Sequence, residues 1–301
     1  VISTPEVVVV VVTHNSALDL DPLLDSLPAA LGSLAAEVVV VDNGSTDGTA
    51  DLARARADCL VLAQANRGYA AGINAGADAM PGAGLVLVLN PDARLAPHAV
   101  ELMVEALKRT GAGIVAPRVV DDQGRLTWSL RRAPTLGRAT GLGFTGWPAV
   151  SEHVTDPGAY TAEHLVDWAL GAVLLVDRAC HDALGGWDES FFLYSEETDL
   201  CLRAADAGWR TVYTPHAEVR HSGGGSGRTP RTHAMQIVNR VRLYARRHRP
   251  PASALYYALV VASELSWLAR GHQESRASLA ALLRPGRRPA ELGCPPALVP
   301  R

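Results

Sequence analysis

Residues 7–12 are an unbroken run of valine, the pattern of a strand buried on both faces of a parallel sheet. The polar segment Thr13-His14-Asn15-Ser16 follows, and then Leu18, Leu23, Leu24, Leu27 and Leu31 recur at helical spacing. Residues 38–41 predict a second buried strand, which ends in Asp42-Asn43-Gly44-Ser45-Thr46-Asp47-Gly48. Residues 60–62, 85–89 and 114–116 predict further strands, with helices over 68–80 and 97–109. Strands alternating with helices imply an α/β chain with a Rossmann-like, mostly parallel, doubly wound sheet. Ligands of such sheets lie beyond the carboxyl ends of the strands, and each polar cluster falls at such an end. Residues 118–165 are irregular and predict a long excursion with one hairpin. The run VDWALGAVLLV over 166–176 predicts a strand long enough to cross the sheet, with Gly171 at a bulge or close approach.

Residues 185–221 carry the densest pattern: a Gly-Gly turn, the aromatics Phe191, Phe192 and Tyr194, three carboxylates, a helix, a strand and a terminal His221. Ser195 can N-cap the helix, and acidic residues suit its first turn. Asp199 and Arg203 stand four apart and can pair along one face. Leu200, Ala204 and Ala207 predict the buried stripe, and Gly208 the left-handed stop. A capped surface helix explains Asp199. It leaves unexplained the adjacent Glu196 and Glu197 behind the aromatic residues, because a carboxylate beside rings is desolvated and becomes a better base.

Charge divides the chain. Residues 1–227 hold 15 Lys/Arg against 28 Asp/Glu, a balance of -13, whereas residues 228–301 hold 13 Arg against 3 Glu, a balance of +10. The expected organisation is a sheet domain over 1–227, a basic helical extension over 228–284 and a disordered Pro-rich tail over 285–301. Seven arginines fall within 228–249, and a largely apolar stretch with Tyr256, Tyr257 and Trp267 follows over 252–270. That stretch is marginal for spanning a bilayer and suits an interfacial helix. An anionic membrane surface or a phosphorylated substrate is the partner such charge suggests. A helical pair packed on the sheet domain, or a homodimer interface, is the alternative. Nucleic acid is not expected, for no recognition motif accompanies the arginines. Cys59, Cys180, Cys201 and Cys294 form no CxxC pair, which argues against a zinc site and fits a reducing compartment. The apolar residues 1–12 have neither basic leader nor cleavage site, and read as a strand rather than a signal peptide.

The clusters carry candidate chemistry. Asp42, directly after the second strand, can accept from a base or ribose donor, or merely serve a turn with a helix cap. A dinucleotide-binding dehydrogenase would need GxGxxG after the first strand, and residues 13–16 contain no glycine. Gly68, Gly72 and Gly76 recur every four residues, a bare helix face that admits a backbone or a ligand, with Asn74 beside it. In Asn90-Pro91-Asp92, the single acid can hold a hard divalent ion that keeps its waters and bridges phosphates, or close an ordinary turn. Trp168 reads foremost as core.

Together VVVTHNS (10–16), VVDNGSTDGT (40–49), NRGYAAGIN (66–74), LVLNPDARL (87–95), VDWALGAVLLV (166–176) and GGWDESFFLYSEETDLCLRAADAGW (185–209) resemble family-2 inverting glycosyltransferases of the GT-A fold. The nearest resemblance is to bacterial rhamnosyltransferases acting on polyprenyl-diphosphate-linked N-acetylglucosamine. The resemblance implies that Thr13, Asn15 and Asp42 line the nucleotide, and that Asn66, Gly68 and Asn74 follow the diphosphate and donor sugar. It implies that Asp92 and His221 hold Mg or Mn, with Asn90 where the family often has an acid. Glu197 matches the general base, with Glu196 as its understudy, and Trp168 and Trp187 stand as acceptor-side candidates. The implied partners are a dTDP- or UDP-sugar and a lipid-diphosphate-linked acceptor at the inner face of the cell membrane, with the protein cytoplasmic and peripheral. A transferase acting on a soluble acceptor, or a non-catalytic nucleotide-sugar-binding tether, are the other readings.

Overall fold

Valine makes the centre of the sheet. The computed structural model describes residues 5–223 and 229–299. The chain begins with β1 (Val7–Thr13), α1 (Leu20–Leu31), β2 (Ala36–Asp42), α2 (Thr49–Ala55), β3 (Leu60–Ala63), α3 (Tyr69–Asp78) and β4 (Leu85–Leu89). It continues through β5 (Ala93–Leu95), α4 (Ala99–Thr110), β6 (Ile114–Val120) and the short β7 (Leu130–Arg131), β8 (His164–Leu165) and β9 (Trp168–Ala169). Then come β10 (Val173–Asp177), α5 (Arg178–Ala183), α6 (Glu196–Asp206) and β11 (Thr211–His221), and finally α7 (Pro230–Arg247), α8 (Pro250–Ala269) and α9 (Ser275–Leu283).

The sheet order is β3-β2-β1-β4-β10-β6-β11-β5, with β8 beside β11. β1 pairs in parallel with β2 and β4, while β10 runs antiparallel to β4 and β6. The sheet is therefore mixed and mostly parallel. One core lies under α1 and α4, and a second under α3, α5 and α6, so the valines of β1 are buried on both faces. Leu18 stands exposed, because α1 starts only at Leu20. The small hairpin expected in 118–165 is the turn closed by the bridge between Val120 and Leu126.

The bare ridge of α3 is a packing surface. A Cβ on Gly72 would fall 2.6 Å from a methyl of Val12, and one on Gly76 would fall 2.4 Å from Val10. Gly68 has φ +96°, and a Cβ there would meet the Phe192 carbonyl oxygen at 2.4 Å. The helix sits directly on β1, and its first turn receives the loop that precedes α6.

The strand expected over 166–176 is broken. β9 pairs with β7 outside the main sheet, and only β10 enters it. At the break the Asn90 amide donates to the Ala172 carbonyl at 2.8 Å and the Tyr69 hydroxyl to that of Gly171 at 3.2 Å. The Ala172 carbonyl continues the β10–β4 ladder by one residue, while that of Gly171 leaves it to hold the first residue of α3.

The C-terminal helices dock on the sheet domain through a core that includes Val238, Tyr244, Tyr256 and Leu282. The basic stretch was expected to face an anionic partner, but five of its arginines bind acceptors of the protein itself. Arg240 binds Glu152 at 2.6 Å, Arg246 binds Asp188 at 2.6 Å and Arg247 binds Asp206 at 2.8 Å. Arg231 pairs with Glu291, and Arg242 donates to the Ser190 carbonyl at 3.2 Å. Arg228 lies outside the described residues, as do residues 1–4 of the apolar start. Nor is the tail free through residue 299: Leu292 and Leu298 are buried, and Arg288 donates to the Ala281 carbonyl at 3.1 Å. The last two residues lie outside the described part.

Two glycines separate backbone strain from close approach. Gly48 has φ +91° with open space around its Cβ position, so Gly48→Ala costs about 1 kcal/mol. Gly68→Ala adds the collision with Phe192 and costs at least about 3 kcal/mol. Urea unfolding of both variants measures the difference.

Candidate active site

At the carboxyl end of β2, Asp42 is buried and oriented from two sides. The Thr13 hydroxyl donates to one carboxylate oxygen at 3.2 Å, and the Ser45 amide to the other at 3.0 Å. Thr13 is wholly buried, so it positions Asp42 and lines nothing itself. Asn15, left-handed at φ 54°, accepts from the Thr46 amide at 2.8 Å while its own amide donates to Ser45 Oγ at 2.8 Å. The loop so braced walls an open polar cleft of about 540 Å³ with Asp42, Ser45, Thr46, Gln64 and Ala65. That volume is in the range of small-molecule sites.

Asn43 joins this loop to α3, donating to the Gly68 carbonyl at 3.0 Å and accepting from Gln64 at 2.8 Å. Asn66 is exposed and accepts from the Gly68 amide at 3.0 Å, which leaves its amide nitrogen at the rim. Asn74 departs from its expected place along the diphosphate. It brackets the Gly-Gly turn instead, donating to the Trp187 carbonyl and accepting from the Trp187 amide, each at 2.9 Å. Its side-chain nitrogen also donates to Glu189 Oε1 at 3.1 Å, so both of its donors are taken by that loop.

The end of β4 brings Asp92 to the last residue of β11. His221 Nε2 lies 3.1 Å from Asp92 Oδ1, and the Asn90 amide 3.4 Å from the same nitrogen. Burial acts to raise the Asp92 carboxyl, but the hydrogen bond and charge of His221 prevail and hold it below its ordinary value. Among the described residues no third His, Cys, Asp or Glu joins the pair. One carboxylate and one imidazole face each other, a donor set that fits a divalent ion taking its other ligands from water or phosphate oxygens.

The acid pair opens α6. Tyr194 and Ser195 are left-handed, at φ 69° and 75°. In that conformation the Ser195 side chain makes no cap, contrary to the sequence expectation, and its carbonyl accepts from the Asp199 amide at 2.8 Å. Asp199 binds Arg203 at 2.5 Å, and Arg203 also donates to the carbonyls of Leu184 and Gly186, so this third acid is structural. Leu200 and Ala204 are buried as expected, but Ala207 is exposed, because α6 ends at Asp206 and Cys201 fills the core there.

Glu196 is buried and Glu197 half-buried, and Oε2 of each is enclosed without a hydrogen-bond partner. Burial and the neighbouring Glu197 push the Glu196 carboxyl well above its ordinary value. Burial also raises Glu197, but backbone amides, the Arg131 guanidinium and the Gly171 amide offset it in part. Two carboxylates so close hold one proton between them more readily than two charges. The amides and Arg131 lie at Glu197 and favour the charge there. Gly171 makes the close approach anticipated for it: a Cβ there would fall 3.1 Å from that of Glu197. Tyr69 stands among the acids, its hydroxyl raised first by burial and then by Glu196, Glu197 and Asp92.

Trp168 and Trp187, the acceptor-side candidates, present little surface, at 9% and 2% exposed. Both are buried in the core beneath α6, and Trp168 Nε1 donates to the Arg132 carbonyl at 3.0 Å. The sequence reading missed Asn239 of α7. It is fully buried and donates to the Leu193 and Tyr194 carbonyls at 3.0 and 3.1 Å. Arg242 and Arg246 lie over the Phe191 ring at 5.5 and 4.6 Å. These contacts clamp the loop from which Glu196 and Glu197 emerge. A lone Asn in a basic amphipathic helix gives no signal of that role.

The comparisons with known proteins agree with this geometry. The profile of Glycosyl transferase family 2 matches residues 8–157, and that of Glycosyl transferase family group 2 matches residues 85–249. The N-acetylglucosaminyl-diphospho-decaprenol L-rhamnosyltransferase of Mycobacterium tuberculosis is 35% identical over 251 residues, which are 75% of this chain and 79% of that protein. A mannosyltransferase from Pyrobaculum calidifontis, in complex with GDP-Man and Mn2+, superposes with a TM-score of 0.56 at 18% identity, over 96% of this chain and 83% of that one. GalNAc-T7 with UDP, GalNAc and Mn2+ superposes with a TM-score of 0.58 at 15% identity, over 80% of this chain and 48% of that one. These two structural likenesses are of fold. Matched profiles, a relative over three quarters of the chain and the mixed sheet with its acids at the strand ends lead to one conclusion: the chain belongs to glycosyl transferase family 2, on the GT-A fold.

Proposed function

We propose that the protein moves L-rhamnose from dTDP-rhamnose, with inversion, to a hydroxyl of a lipid-diphosphate-linked saccharide in cell-wall or polysaccharide assembly, at the cytoplasmic face of the membrane. The observation that carries the reading is the 35% identity to the mycobacterial rhamnosyltransferase. Asp42 would meet the base or ribose in the cleft that it lines, and the rim at Asn66 and Gly68 would meet the diphosphate.

Glu197 takes the proton of the acceptor hydroxyl on its carboxylate. The acceptor oxygen then attacks the anomeric carbon from the face opposite the nucleotide, and the bond from that carbon to the diphosphate oxygen breaks. The electron pair leaves on the diphosphate. Glu196 holds the shared proton of the pair, which keeps a second negative charge away from the base. A divalent ion held by Asp92 and His221 would supply positive charge beside the departing diphosphate.

Ligand that binds only the native state raises the unfolding midpoint. The midpoint rises with dTDP plus Mn2+ or Mg2+ more than with UDP or GDP, and EDTA removes the gain. A gain selective for UDP would move the donor elsewhere. Glu197→Gln lowers transfer by about 10²–10⁴-fold while dTDP still shifts the midpoint. Loss of both together would make Glu197 structural.

Glu196 separates from Glu197 by stability. Its raised carboxyl means that the native state binds the proton more tightly than the unfolded chain. Stability therefore falls as pH rises from its ordinary 4.5 through the raised value. Glu196→Gln removes that loss. Its midpoint exceeds wild type at about pH 8, and the gain vanishes below about pH 4. Thermal scans across that range check the sign.

A further inference from the structure

The helix α8 is inside out. Its buried side carries Ser253, Tyr256, Val260, Ser263 and Glu264, with Glu264 Oε2 3.2 Å from His233 Nε2 and the Tyr256 ring stacked on Tyr244 at 3.8 Å. Its exposed side carries Ala254, Leu255, Ala258, Ala262, Leu265 and Ala269. At 3.6 residues per turn these six fall within an arc of about 100° and run for about 22 Å. A helix facing water carries charge on that arc, and here no residue of the arc is polar. Leu255 and Leu265 are 50% and 53% exposed.

Aromatic side chains extend this face at the carboxyl end of α8. The loop after residue 140 exposes Phe144 and Trp147, at 63% and 72%. Phe144 meets Trp267 edge-on at 6.4 Å, and the Arg270 guanidinium lies 5.1 Å from the Phe144 ring and 4.8 Å from the Trp267 ring. Exposed Arg249 precedes the helix at its other end. An apolar arc with a cation at each end and aromatic rings beside one of them matches the acyl boundary of a bilayer with anionic headgroups above it. A second copy packed arc to arc would bring these arginines against one another in either orientation. Spanning is excluded by the other face, which holds the Glu264–His233 pair and packs on α7 and α9.

We infer that α8 and the Phe144–Trp147 loop form an in-plane docking surface for an anionic lipid bilayer. This names the surface for the membrane part of the proposed function, and it takes only Arg249 from the arginine-rich stretch, whose other described arginines bind acceptors of the protein. It does not depend on the donor or the acceptor.

Flotation with vesicles of phosphatidylcholine, alone or mixed equally with phosphatidylglycerol, tests it on the full chain. Wild type floats with the mixed vesicles and less with phosphatidylcholine. The double variant Leu255→Glu, Leu265→Glu lowers the partition coefficient by at least about tenfold. Arg270→Glu removes the preference for phosphatidylglycerol. All these positions are exposed, and an unchanged unfolding midpoint with an unchanged dTDP response shows that fold and donor site are intact. The inference is overturned if wild type floats with neither vesicle, or if the double variant floats like wild type. It is also overturned if sedimentation velocity shows a dimer that the double variant breaks while vesicle binding stays the same. Because the dTDP response is read separately, failure of the bilayer surface is distinguishable from failure of the transferase reading.

Discussion

The contact between Gly68 and Phe192 is what the site hangs on. The Tyr69 amide donates to the Phe192 carbonyl at 2.9 Å, and this approach is open only where residue 68 has no side chain. It ties the first turn of α3 to the loop that enters α6. Because α3 itself is seated on β1 through Gly72 and Gly76, the position of Glu196 and Glu197 is referred to the central strand. The same strand ends at Thr13, which orients Asp42. The polar cleft at Asp42 and the acid pair are thus registered against one another through β1 and α3, without a long side chain between them.

Electrostatics follows from that placement. Asp92 and the acid pair surround Tyr69, and the two sites resolve their charge differently. Asp92 has His221 at 3.1 Å and stays ionised. The glutamates have each other, Arg131 at some remove and amide dipoles, and so one proton remains with the pair. One neighbourhood thereby holds a carboxylate suited to a cation and another suited to taking a proton.

Most of the sheet was legible because its strands are short apolar runs bounded by polar turns, and strand ends then place Asp42 and Asp92. The exceptions share a cause. In 166–176 the apolar pattern continues across a break, because the Gly171 carbonyl goes to the Tyr69 hydroxyl, and a backbone carbonyl given to a distant side chain leaves no mark in a hydrophobic pattern. Asn74, expected beside the glycine ridge, stands two residues from both Gly72 and Gly76 and so lies across the helix from them, where its partner is a loop 113 residues away. The arginines of α7 announced charge correctly and partners wrongly, since the composition of a helix does not say which acids its neighbours bring. Likewise, counting apolar residues over 252–270 gave the right length for α8 but not the inversion, which depends on where α7 lies.

The C-terminal helices belong to the site rather than to an appendage. Two successive left-handed residues, Tyr194 and Ser195, cost on the order of 1–3 kcal/mol each, and enclosing two carboxylates adds to that. Such a turn persists only when its surroundings over-determine it. Asn239 takes both carbonyls of that turn, and Arg242 and Arg246 press on Phe191 and hold Asp188 and Ser190. Every one of these residues comes from α7. A strained entry to α6 and a basic helix after the sheet are therefore one device: α7 supplies the hydrogen bonds that fix the turn from which Glu196 and Glu197 emerge, and α8, packed on α7, keeps its apolar arc exposed.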